Sequence, residues 1–283
     1  MKRILFLLLL IATMSIVASA QTPSSTTPAS TKPIQDNSFL VEEAYNQEYN
    51  VIQHISSFTK DWTNNTWVYT FTQEWPFPGH EKHQLSYTVS GLHSGDFRGS
   101  GTGFGDVLLN YRYQLIGNGE SKLAFSPRLS LVVPTGSARF GRGAGGTGIQ
   151  TMLPFSLVLN RKLVTHLNAG ATFVPHAKNE LGDRAFTNGY NLGQSFIWLA
   201  KPRFNVMLET IWGGGESVVA KDSTQRYHYL LMSPGVRWAY NFKNGLQIVP
   251  GVAFPVGVGP SQGDRQVLFY LSFEHPIGPT EKN

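Results

Sequence analysis

Not one of the 283 residues is cysteine. No disulfide can staple the fold, and no N-terminal Cys is available for lipid attachment. Charge is scarce as well: 14% of residues are Asp, Glu, Lys or Arg, against about 25% in soluble domains. Long apolar runs are missing. Beyond the N-terminus no segment approaches the ~18 consecutive apolar residues of a membrane-spanning helix. A chain so poor in charge, with neither staples nor a hydrophobic helix, must hold itself by burial and backbone pairing.

The N-terminus itself reads as a cleavable export signal. Lys2 and Arg3 precede an apolar run from Ile4 to Met14, followed by Ala18-Ser19-Ala20. A basic start, a short apolar stretch and an A-x-A site form the secretory layout, and the run is too short for a span of about 20 residues. Cleavage is expected after Ala20. Its loss removes two of the 23 basic residues and none of the 18 acidic ones, leaving a net charge of +3. That balance gives no footing for nucleic acid. Residues 21–36 are rich in Ser, Thr and Pro, as a disordered or extended leader would be. The following "SFLVEEAYNQEYN" could form a short helical or irregular piece.

What the chain has in quantity is Gly (29), Phe (18), Tyr (11) and a period of two. In "GDVLLNYRYQL", Val107, Leu109, Tyr111, Tyr113 and Leu115 oppose Asp106, Leu108, Asn110, Arg112 and Gln114. Apolar and polar faces of that kind belong to a strand with two different environments. The spacing predicts strands near 49–58, 65–75, 83–91, 104–116, 121–134, 148–160, 162–174, 189–200, 203–212, 226–241, 246–257 and 265–275. Most of them reach the ~9–11 residues that cross a bilayer at a tilt.

The connections alternate too. "PFPGHEKH", "IGNGES", "NRK", "AKPR" and "NFKNG" are mostly tight turns, whereas "GLHSGDFRGSGTG", "TGSARFGRGAGGTG", "PHAKNELGDRAFTN", "GGGESVVAKDSTQ" and "VGPSQGD" are mostly longer. Short turns at one end and long polar loops at the other describe an outer-membrane barrel. Trp67, Trp75, Trp198, Trp212, Trp238 and Tyr240 fall toward strand ends, where interfacial girdles form. The same placement also marks strand ends in soluble β proteins. Closure follows from the solvent, because lipid offers no partner to an unpaired backbone group.

The pieces "GFGDVLLNYRYQL" and "SPRLSLVVPTG", with "VEEAYNQEYNVIQHI", "FTQEWP" and "HQLSY", resemble the outer-membrane barrel family named for a phenol-degradation meta-pathway, whose members are transporter-like. That resemblance covers most of the chain, through strand and turn patterns rather than catalytic signatures. It implies a β-barrel and passage of small, aromatic or hydrophobic compounds. The hydrocarbon and fatty-acid uptake barrels carry a substantial N-terminal plug, and here only residues 21–48 precede the first strand.

Candidate site residues are the charges that share the inward parity: Glu74, Asp106, Arg112, Arg128, Arg203, Glu209 and Arg237. Ionisable groups at membrane depth line a wet path or pair within the protein. They are therefore read either as a selectivity constriction or as a static salt-bridge network filling the barrel. His166 with Asn168 is read as a hydrogen-bonded pore pair. Gly141-x-Gly143-x-x-Gly146 matches a dinucleotide fingerprint by letters only, since a strand rather than a helix follows it. His80 and His83 could offer two metal ligands but lack further ones. For catalysis the only Ser-His candidates are His228 with Ser233 and His93 with Ser94. Arg98, Arg139, Arg142, Arg184 and Arg226 could grip lipopolysaccharide phosphates.

The expected fold is all-β, a single antiparallel transmembrane barrel of about twelve strands with short periplasmic turns and long extracellular loops. Residues 1–20 are assigned to the signal, 21–48 to a periplasmic leader that is a candidate to enter the lumen, 49–275 to the barrel and 276–283 to a tail. The tail "PIGPTEKN" departs from the usual aromatic ending of such barrels. The expected function is a porin-like channel or transporter for small solutes in the outer membrane of a Gram-negative bacterium. The alternatives are a lipid-acting barrel enzyme and a structural or adhesive barrel. No catalysis, cofactor or metal is expected. The expected partners are the bilayer, lipopolysaccharide, a small solute and the barrel-assembly machinery.

Overall fold

The structure, a computed structural model, describes residues 34–95, 101–243 and 246–276. The signal, residues 21–33 of the leader, Arg98 and the tail beyond Pro276 lie outside these residues. Twelve strands follow one another: β1 Val51–Asp61, β2 Thr66–Phe77, β3 His80–His93, β4 Thr102–Phe104 with Val107–Tyr113, β5 Leu123–Phe125 with Arg128–Val133, and β6 Gly148–Asn160. The second half comprises β7 Leu163–Lys178, β8 Arg184–Lys201, β9 Phe204–Ala220, β10 Ser223–Trp238 with Tyr240–Asn241, β11 Gln247–Ala253 with Val256–Gly257, and β12 Gln266–Pro276. Each pairs antiparallel with its neighbours in sequence, and β1 pairs with β12 from Val51↔Pro276 to Asp61↔Gln266. The sheet is closed. All twelve expected strands are present.

The breaks within strands have local causes. Pro127 and Pro255 lack an N–H and cannot donate to the ladder, so β5 and β11 each split there. In β4 the split falls at Gly105-Asp106, where both residues hold the 134–147 loop. The Thr135 hydroxyl donates to the Gly105 carbonyl at 2.9 Å, and the Asp106 carboxylate accepts from the N–H groups of Gly136 and Ala144.

The period of two sorts the side chains as the sequence predicts. On β5, Leu129 and Leu131 are 53% and 43% exposed while Ser130 is buried. On β8, Phe196 and Trp198 face out and Ser195 and Ile197 face in, both fully buried. No second layer covers the outward face among the described residues, so its solvent is lipid. Trp75, Trp198, Trp238 and Tyr240 lie near the ends of their strands on the side of the short turns, and Trp67 and Trp212 lie toward the loop side.

Loop lengths differ from expectation at two places. Much of "PHAKNELGDRAFTN" and "GGGESVVAKDSTQ" is strand: β7 and β8 turn within residues 179–183, and β9 and β10 turn at Lys221-Asp222, where Asp222 takes φ 56°. Glycine inside β9 has a packing reason. A Cβ on Gly213 would sit 2.5 Å from Tyr229 Cζ, and one on Gly215 would sit 2.8 Å from the Tyr227 hydroxyl oxygen. At about 3.4 Å per residue and ~40° of tilt, the 17 residues of β9 rise roughly 44 Å, well beyond the ~25 Å apolar band. The loop-side ends of these hairpins reach beyond the membrane.

Candidate functional site

Residues 34–50 contain no helix and no strand. They run along the inward faces of the wall, and several of their backbone groups are bound by wall side chains. The N–H groups of Phe39, Leu40 and Val41 all donate to Glu209 Oε1, at 3.1, 2.8 and 3.0 Å. Glu42 N–H donates to Asn168 Oδ1 (2.7 Å), and Asn168 Nδ2 returns a bond to the Glu42 carbonyl (2.8 Å). Ala44 N–H donates to Ser156 Oγ (2.8 Å), Asn46 N–H to Gln114 Oε1 (2.8 Å) and Gln47 N–H to Gln84 Oε1 (2.6 Å). Carbonyls are met in the same way. Arg112 donates to Tyr45 (2.9 Å), Gln114 to Ala44 (2.8 Å), Asn205 to Gln35 (3.1 Å), and Arg237 to Asn37. Buried backbone groups must find partners, and here amide, hydroxyl and charged side chains replace a ladder.

One ion-pair group ties the segment to the wall. Glu42 accepts from Arg128 Nη2 at 2.6 Å and from Arg112 Nη2 at 2.9 Å. Burial pushes its carboxyl up, but the two guanidiniums outweigh burial and hold it at about 2. Glu43 is the opposite case. Burial raises its carboxyl to about 7, Arg112 opposes this, and Glu74 and Glu42 add to the rise. Burial also pushes the Tyr45 phenol up, and Asp36, which accepts from its hydroxyl at 3.2 Å, adds to it.

The expected site residues divide. Arg112, Arg128, Glu209 and Arg237 meet residues 34–48 directly. Glu74 is buried beside them and accepts from Gln84 Nε2 at 3.0 Å. Asp106 does something else: its two oxygens take the N–H groups of Gly136 (2.9 Å) and Ala144 (2.7 Å), pinning the 134–147 loop. Arg203 does not line the lumen. It shares the inward parity but lies exposed in the turn between β8 and β9, past the end of the strand. The neutral members Gln84, Gln114, Ser156 and Asn205 were not among the sequence candidates. Their signal is an inward Gln, Asn or Ser near the short-turn end of strand after strand.

The Ser-His pairs considered for catalysis are not assembled. His228 bonds Tyr190 on the outward face (2.9 Å), whereas Ser233 is buried on the inward face. Ser94 Oγ donates to the Phe140 carbonyl. A different pair does meet: Ser156 Oγ lies 2.7 Å from His166 Nδ1. The second nitrogen of that ring lies 2.9 Å from the Asp36 carbonyl, and Ser156 accepts the Ala44 N–H. Both residues are buried against the segment and serve its backbone. His80 and His83 stack edge to face at 5.9 Å, with His83 Nδ1 2.6 Å from the Tyr111 hydroxyl. Among the described residues no group of three metal-ligating side chains occurs.

Known structures share this architecture. An outer-membrane channel from Pseudomonas putida F1 superposes with a TM-score of 0.62 at 12% identity, covering 82% of this chain and 97% of that one. The NanC porin superposes with a TM-score of 0.51 at 7% identity, covering 78% of this chain and 98% of its own. At such identities the likeness concerns the fold. No curated protein matches the chain in sequence. The family model described as "Putative MetA-pathway of phenol degradation" matches residues 34–262, and the chain belongs to that family.

Proposed function

We propose that this barrel is an outer-membrane channel for small solutes in a Gram-negative bacterium, held closed by residues 34–48 and opened when they leave the wall. The carrying observation is the mode of attachment. Twelve strands enclose a cylinder about 24 Å across between backbones, at ~4.8 Å strand spacing and ~40° tilt. Inward side chains reduce that width to little more than one extended segment needs. A segment held by side chains, apart from one backbone bond from the Ile34 N–H to the Pro202 carbonyl (2.8 Å) at its start, can exchange each bond for water one at a time, which suits an equilibrium between closed and open. The family's description, which names phenol degradation, supports small aromatic solutes as the cargo. The outward apolar belt meets the bilayer, and the exposed Arg184 and Arg226 suit lipopolysaccharide phosphates at the loop side.

Planar-bilayer recording tests the reading. The chain from residue 21 onward should give rare, brief openings, and a chain lacking residues 21–48 should stay open with a larger conductance. If the shortened barrel folds and conducts nothing, the channel reading fails. If both chains conduct identically, residues 34–48 do not close the lumen.

A further inference from the structure

Arg112 and Arg128 stand directly opposite each other on β4 and β5. Like charges in that cross-strand position repel and weaken the sheet unless something lies between them. Here the Glu42 carboxylate does. Arg128 grips it as a fork, Nε to Oε2 at 3.0 Å and Nη2 to Oε1 at 2.6 Å. Arg112 Nη2 adds a third bond, to Oε2 at 2.9 Å. The wall alone sets the direction of the fork: Arg128 Nη1 donates to Asn110 (3.1 Å) and Ser130, and Nη2 also reaches Gln150 (3.2 Å). The Arg112 and Arg128 side chains are 5% and 10% exposed, yet Glu42 keeps 27%. Its open side borders a cavity of about 250 Å³ between residues 37–43 and the inward faces of β1–β5 and β12. Three acids line that cavity, Glu42, Glu43 and Glu74, and of these only Glu74 belongs to the wall. Release of residues 34–48 therefore leaves two guanidiniums facing one carboxylate. Arg112 then loses the Tyr45 carbonyl as well, and its Nε has no partner among the described residues even before release.

We infer that Arg112 and Arg128 form a carboxylate-binding site in the lumen, filled by Glu42 while the segment is attached and by a small monocarboxylate solute when it is released. Shape selects the group first. A planar pair of oxygens matches a guanidinium fork, and the three bonds made to Glu42 are the three a free carboxylate can make. Charge selects next. The excess over Glu74 is one positive charge, which suits one negative charge and not two. Room selects last. An engineered cavity of about 150 Å³ takes benzene, so this one admits an acid of a few carbons beside Glu42. Because such an acid and Glu42 compete for the same donors, the acid favours release by mass action. That effect on opening rests on the channel reading; the site itself does not.

Calorimetric titration of the detergent-solubilised barrel with propionate, propionamide and sulfate tests the site. Glu42→Ala empties the fork, and that chain should bind propionate saturably, sulfate more weakly and propionamide not at all. The parent should bind propionate at least about tenfold more weakly than Glu42→Ala, because its tethered carboxylate competes at an effective concentration of order millimolar. Adding Arg128→Gln to Glu42→Ala should abolish binding, and Arg128→Lys, which keeps the charge without the fork, should restore only part of it. Resistance to SDS checks the folding of each variant, and the chain lacking residues 21–48 presents the same empty fork should Glu42→Ala not fold. Equal affinity in the parent and Glu42→Ala overturns the inference, as does binding that survives Arg128→Gln, propionamide or sulfate binding as tightly as propionate, or no binding. In planar bilayers propionate should make the parent open more often; openings unchanged at concentrations that fill Glu42→Ala overturn the competition. A barrel that binds propionate in this pattern yet never conducts, whole or shortened, keeps the site and sinks the channel. One that conducts while Glu42→Ala binds nothing does the reverse.

Discussion

Glu209 carries the most concentrated anchor, and its removal gives a magnitude to test. One buried carboxylate oxygen takes three successive N–H groups, from Phe39, Leu40 and Val41. Its other oxygen, Oε2, has no partner among the described residues. The carboxylate therefore acts on residues 39–41 more than on the wall. Replacing Glu209 with Ala leaves three donors without their acceptor. A buried orphan costs about 1–3 kcal/mol, and the lower end applies where cavity water can reach. Three donors then total roughly 3 kcal/mol, about a hundredfold in the balance between attached and released segment. Glu209→Gln keeps a neutral acceptor and should cost about a tenfold shift. The cysteine-free chain suits a labelling assay. Ser38 is buried, and its hydroxyl has no partner among the described residues, so a Ser38→Cys background should react with maleimide at a rate set by the released fraction. The expected order is Glu209→Ala about a hundredfold over the parent, with Glu209→Gln between. Equal rates in three folded barrels would refute the reasoning.

Glu43 makes attachment pH-dependent. Its carboxyl rises from about 4.5 to about 7 in the attached state, so that state holds a proton the released state gives up. The contribution of Glu43 to attachment is full below about 4.5, weakens by up to tenfold per pH unit as pH rises toward 7, and is level above. Maleimide labelling of the Ser38→Cys chain from pH 5 to 8, corrected for the thiol's own ionisation, should trace that rise, and Glu43→Gln should flatten it. Gly251→Ala should release the segment differently, because a Cβ there would lie 2.6 Å from Phe39 Cε1 and Cζ. Labelling should speed up, and Phe39→Ala should remove the sensitivity to Gly251→Ala; a persistent effect would point elsewhere. Asp106→Asn leaves one acceptor for two N–H groups, so trypsin should cut faster at Arg139 and Arg142 with barrel stability unchanged. Unaltered cleavage would deny Asp106 its hold on the loop.

Much of the architecture was legible because a membrane barrel wall imposes one simple constraint on every strand. Lipid outside and a polar lumen inside write the same alternation into β5 as into β12. Gly213-Gly214-Gly215 read as loop, since glycine has no β preference; only the Tyr227 and Tyr229 rings on the neighbouring β10 explain it. Inward charges were legible by parity, which works until a strand ends. Arg203 keeps the parity but lies past that end. The role of the charges was not legible at all. The partners of Glu209 lie about 170 residues away in sequence, and nothing periodic connects "SFLVEEAYNQ" with β9.

The closed sheet explains why the attachment takes this form. A strand segment entering an open sheet would add to its edge and gain a continuous ladder. Here β1 and β12 have used each other's edges along the length of β1, so no edge is left for residues 34–48. Apart from the Ile34 N–H, which donates to the Pro202 carbonyl in the β8–β9 turn at 2.8 Å, their backbone is met by side chains that reach inward from the wall. Each such bond is worth about 1 kcal/mol net against water, and the bonds are spread over many strands. The segment is then held by a sum of small, separable contributions rather than by one cooperative ladder. Single substitutions shift its balance in steps, without dismantling the barrel that makes those side chains converge.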